Sequence, residues 1–108
     1  MNDEQRYLFD LQGYLVVPEA LSRDQVAALN ATLDQKVAET VPSEATTHRF
    51  GLVHTWGKAY FDVLDNPRIT PILEAINGSH FRLDHSYIDI IRGGNSPIGA
   101  TLHGGGTP

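Results

Sequence analysis

Five histidines, His48, His54, His80, His85 and His103, are the side chains in this sequence best able to bind a metal or move a proton, and there is no cysteine. Without a thiol, disulfides, zinc fingers, thiol catalysis and iron–sulfur clusters are excluded within the segment. The histidine spacings are irregular and match neither H-E-x-x-H nor a zinc pattern. His103 stands apart through its setting. It follows the extended run Ala100-Thr101-Leu102 and enters Gly104-Gly105-Gly106. Glycine lets another group approach the backbone closely. A strand-end histidine beside a bare loop leaves room for a metal with open coordination positions. A non-haem ferrous centre needs that arrangement: two histidines and one carboxylate on one face, the remaining positions left for other ligands. Residues i and i+2 of a strand point the same way, so such sites often begin with H-x-D or H-x-E. Here the third position of that triplet is Gly105.

Other residues are weaker candidates. His85 and Tyr87 share strand parity with Leu83 and Ile91. If that face looks inward, they could contact a cofactor or substrate. The ordinary alternative is a polar position in a satisfied hydrogen bond. Asp84 and Asp89 fall on opposite faces and make no obvious acid/base pair. Trp56 and Tyr60 read as core. The glycine run is not a phosphate loop, because no Lys-Ser/Thr follows it.

The elements that must hold these groups run from helix to strand. Residues 3–12 read as a short helix with Tyr7, Leu8 and Leu11 on its apolar side, ended by Gly13. Tyr14 to Val17 reads as a short β-like run closed by Pro18. Ser22 with Gln25 forms a capping box that opens a helix over 21–40, with Leu21 and Val26 set for a hydrophobic staple. Val26, Leu29, Leu33 and Val37 give it an apolar face, and Pro42 stops it. Residues 41–57 show no sustained period and read as loop segments pinned to a core by Phe50 to Val53 and Trp56. Lys58 to Asp65 predicts a short helix with Tyr60, Phe61 and Leu64 inward. Another helix follows, with Thr70 as N-cap, Pro71 in its first turn and Asn77-Gly78 at its end. The alternation from Phe81 to Arg92 predicts a strand, Gly93 to Pro97 a turn, and Ala100 to His103 a second strand. Helices first and strands after them predict an α+β fold in one domain, residues 1–108.

Composition narrows the function classes. A net charge of −5 with no basic run argues against a nucleic-acid partner held through phosphates. The longest apolar run is far short of the roughly twenty residues a membrane span needs. The acidic start, Met1-Asn2-Asp3-Glu4, has no apolar region behind it, so no secretory signal is read and a cytoplasmic location is expected. A glycine-rich turn normally joins two elements, yet nothing follows this one, so the chain reads as truncated or a fragment, with a disordered tail as the alternative.

Two stretches carry a family resemblance. The opening "YLFDLQGYLVVPEALSRDQVAALNATLD" resembles the start of the phytanoyl-CoA dioxygenase family, iron(II)/2-oxoglutarate-dependent oxygenases. Within "DNPRITPILEAINGSHFRLDHSYIDIIRGGNSPIGATLHGGGTP", the part "NPRITPILEAING" resembles the helix before that family's barrel. "FRLDHSYIDIIRGG" resembles its first barrel strands, and "TLHGGGTP" stands where its first metal-ligand motif is expected. The resemblance implies helices packed on the first strands of a double-stranded β-helix, or jelly roll, left incomplete in this chain. It implies Fe(II) bound by His103 and later ligands, 2-oxoglutarate and O2 as cosubstrates, and hydroxylation of a small organic substrate. A distal histidine and the arginine that holds 2-oxoglutarate would lie beyond Pro108, so this segment alone is expected to be inactive. Gly105 departs from the family's H-x-D. Three explanations stay open: a carboxylate further on, a role for His103 other than metal ligand in a divergent subgroup, or a halogenase-like site in which a small residue makes room for a halide. The missing carboxylate also leaves a catalytically inactive binding module of the same fold as a separate reading. If the resemblance is accidental, a small helical interaction domain with a β-hairpin is the remaining reading.

Overall fold

The computed structural model describes residues 1–93. The second strand expected over Ala100 to His103, most of the turn before it and His103 itself lie outside the described residues.

Helix α1, Asp3–Gln12, starts on Asn2, whose side chain accepts the Gln5 N–H at 2.8 Å while the Gln5 side chain accepts the Asn2 N–H. Gly13 ends it at φ 80°, a left-handed conformation that glycine adopts without steric cost. Tyr7 and Leu11 are 66% and 70% exposed, so the expected apolar side is largely uncovered. Arg6 ties this helix to the next layer by donating to the Ala75 carbonyl at 2.7 Å. Tyr14 to Val17 forms no strand, because no neighbouring strand supplies ladder partners.

Helix α2, Arg23–Thr40, opens with the expected Ser22–Gln25 capping box and ends at Val41. Its Leu29 and Val37 pack on the core, whereas Val26 stays 41% exposed. The segment read as loop contains strand β1, Thr47–Gly51, then a 3-10 turn at Val53–Thr55. Leu52 joins them at φ 53°, unusual for a residue with a branched side chain. Helix α3 is short, Lys58–Phe61, and only Tyr60 is buried; Phe61 is 60% exposed. Helix α4, Thr70–Asn77, has Ile69 rather than Thr70 at its N-cap, with no side-chain cap; the Thr70 hydroxyl faces Asp65 instead. Asn66 is buried and locks the entry to α4, donating to the Ala20 carbonyl and accepting the Arg68 N–H.

Strand β2 spans Tyr87–Ile91, shorter than the expected 81–92. It pairs antiparallel with β1, Phe50 opposite Ile88 and Arg49 opposite Asp89. The Arg92 N–H adds one more bond, to the Thr46 carbonyl. Period-2 alternation sends Phe50, Ile88 and Ile90 toward α2 and leaves Tyr87 and Ile91 outward. The core is Val41, Phe50, Val53 and Tyr60, ringed by Leu29, Val37, Ala45, Trp56, Ile88 and Ile90. Phe50, Trp56 and Tyr60 meet edge to face at 5.1 Å centroid spacings, and Tyr60 donates to the Leu29 carbonyl. The described residues are thus α+β, a helical layer on a two-stranded antiparallel sheet. Among them no helix is long and apolar enough to cross a membrane.

Candidate functional site

The end of β1 and the approach to β2 enclose a groove of about 700 Å³. Antiparallel pairing puts Gly51 opposite Tyr87, so residues just past β1 face those just before β2. Leu52 and His54 therefore line one wall, and Leu83 to Tyr87 the other. His85 and Tyr87 stack nearly parallel, 10° apart at 5.2 Å, although His85 lies before β2 and the strand expected to carry both begins only at Tyr87. Arg49 lies over the Tyr87 ring at 4.4 Å, a cation–π distance. Asp84 hydrogen-bonds His85 Nδ1 at 2.7 Å.

Arg49 does not offer a free charge to the groove. Its Nε and Nη2 donate to the two Asp89 carboxylate oxygens at 2.6 and 2.7 Å, a bidentate pair between directly opposed residues. Those hydrogen bonds raise the Arg49 guanidinium and lower the Asp89 carboxyl from their ordinary values. Because the folded value of Asp89 is depressed, its contribution is complete above the unfolded value of about 3.9 and is lost as pH falls through the folded value below it. Asp89→Asn is therefore expected to lower Tm at pH 7 and to flatten its fall below about pH 4. Thermal melts from pH 2 to 7 check this; an unchanged acid limb would remove Asp89 from the account. With Arg49 56% exposed, the effect should shrink in high salt.

His54, one of the five histidines, meets Ser86, a residue that carries no signal of its own in the sequence. Ser86 Oγ lies 2.6 Å from His54 Nδ1 and accepts the His54 backbone N–H at 3.4 Å. In the Nε2–H tautomer the hydroxyl donates to Nδ1 and the second ring nitrogen stays available. The pair forms only because β1 and β2 adjoin, and no local pattern in either segment announces it.

Among the described residues, no three histidine, aspartate or glutamate side chains come together as a metal site. His85 and Tyr87 are brought together; His103 lies outside the described residues. No family model, curated protein or solved structure matches the chain.

Proposed function

We propose that this chain is the N-terminal part of an iron(II)/2-oxoglutarate oxygenase that hydroxylates a small organic substrate. In this reading β1 and β2 are the first strands of a double-stranded β-helix. The carrying observation is the stacked His85–Tyr87 pair at the entry to β2, lining an open groove where a cosubstrate or substrate can be met. The helix before β2 and the position of "TLHGGGTP" after it suit the same reading, although β1 falls between α2 and α3 where only helices and loop were expected. So does the ribbon's outer face, where Tyr87 and Ile91 stay 46% and 52% exposed, as strands awaiting further layers would.

The described residues do not by themselves fit an iron ion, since no set of three donors converges. The metal would sit on His103 and on ligands further along the chain. What the described residues supply is a wall: the His85 ring and Tyr87 offer planar, partly polar surface for orienting a bound molecule. The competing reading, a non-catalytic module of the same fold, draws on Gly105 in the carboxylate position.

The test is succinate release by the full-length protein supplied with Fe(II), 2-oxoglutarate and O2. Release above a metal-only control is the expected result. None, from protein shown to be folded, would favour the binding module. His85→Ala is expected to raise the KM for 2-oxoglutarate or substrate several-fold while sparing Tm, because the ring is exposed and its stacking on Tyr87 and hydrogen bond to the exposed Asp84 both lie at the surface.

A further inference from the structure

The His54–Ser86 pair lines two cavities. One is the groove beside His85 and Tyr87; the other is a pocket of about 340 Å³ between α2, α3 and β2. The pocket walls include Leu29, Val53, Tyr60, Val63 and Ile88, and the His54–Ser86 pair is its polar rim. A mostly apolar cavity with few placed polar groups is the usual form of a small-molecule site.

We infer that these cavities form a two-part site for a small uncharged amphipathic molecule, its aliphatic part in the pocket and its hydroxyl or amide head at His54. The head chemistry follows from the charges. Arg49 is committed to Asp89, and the other charged group on the groove wall is Asp84, beside His85. No unneutralised cation faces the junction among the described residues, so an anionic head gains nothing there. His54 Nδ1 is occupied by Ser86, whereas Nε2 has no protein partner among the described residues and is not buried. In the Nε2–H tautomer, in which the Ser86 hydroxyl donates to Nδ1, Nε2–H donates to an oxygen on the ligand. The inference needs neither iron nor 2-oxoglutarate and stands apart from the oxygenase reading.

The probe is 1-octanol, titrated into the metal-free protein and followed by amide chemical shifts of Val53, Tyr60 and Ile88. Saturable shifts are expected, with octanoate binding at least about five-fold more weakly. His54→Phe keeps the ring's shape and removes its nitrogens. It should weaken octanol about five-fold, the size of one neutral hydrogen bond. Val63→Trp, at a 41% exposed position, should fill the pocket and abolish saturation without lowering Tm. Binding unchanged in both variants, octanoate binding as tightly as octanol, or no saturable shift in the wild type would each overturn the inference. Succinate release has no bearing on any of these outcomes.

Discussion

Phe50→Ala is expected to destabilise the protein by about 3 kcal/mol or more, the usual cost of emptying a buried aromatic site. Phe50 is 9% exposed and is the point where the β-ribbon meets the helical layer. Its ring touches Trp56 edge-on at 5.1 Å and His48 at 4.5 Å, and Ile88 stands opposite it across the ladder. Edge-to-face contacts add about 0.5–1.5 kcal/mol each beyond buried area. The core has few other members to absorb the loss: Val41, Val53 and Tyr60 are the remaining buried apolar residues among those described. A domain holds only about 5–15 kcal/mol in total, so the variant should melt far below wild type. Phe50→Leu keeps the apolar contact but loses the ring edges, and should cost about half as much. Phe61→Ala is the control: 60% exposed, it should change stability by no more than about 0.5 kcal/mol. Denaturant unfolding of the three variants decides the matter. A Phe50→Ala loss under about 1 kcal/mol would mean that the ribbon is not held by this packing.

The contrast between Phe50 and Phe61 also marks what could be read from residue order. Helix α2 was legible because its signals are local: Ser22 and Gln25 cap each other three residues apart, and Leu29 and Val37 recur at helical spacing. The end of α1 at Gly13 was legible for the same reason. Strand β1 was not. Thr47–Gly51 is five residues with one large apolar side chain, and its ladder partners lie some forty positions later. Strand β2 was read too long at its start because alternation continues back to Phe81, while pairing begins only opposite Gly51. Residues without a ladder partner stay irregular whatever their pattern. The site divides along the same line. His85 and Tyr87 lie two residues apart, so their closeness is a property of one segment even though only Tyr87 is in the strand. The Arg49–Asp89 clamp and the His54–Ser86 bond exist only once β1 and β2 adjoin, so missing β1 meant missing both. The inward side of α3 was half legible: a single helical turn has too little length for periodicity to separate Tyr60 from Phe61.

His103→Ala in the full-length protein is expected to abolish succinate release, by about 100-fold or more. Removing even an outer partner of a metal ligand costs roughly 10–100-fold, and a direct ligand should cost at least as much. The effect should fall on turnover and on Fe(II) affinity together, since a site with one imidazole fewer holds the ion less tightly. It should leave octanol binding near His54 unchanged, because that binding is proposed to need no metal. His85→Ala should show the opposite division, sparing Fe(II) affinity and raising KM, because His85 lines the groove and the proposal assigns it no bond to iron. Gly105→Asp separates the explanations for the departure from H-x-D. If the carboxylate ligand lies further along the chain, the new aspartate adds a competing ligand and lowers turnover. If the position is open to a halide, the variant should lose any halide dependence and favour hydroxylation. Measured succinate, Fe(II) affinity and product identity across these three variants form one matrix. A His103→Ala protein that turns over 2-oxoglutarate as fast as wild type would remove His103 from the metal site and with it the main reason for placing iron here.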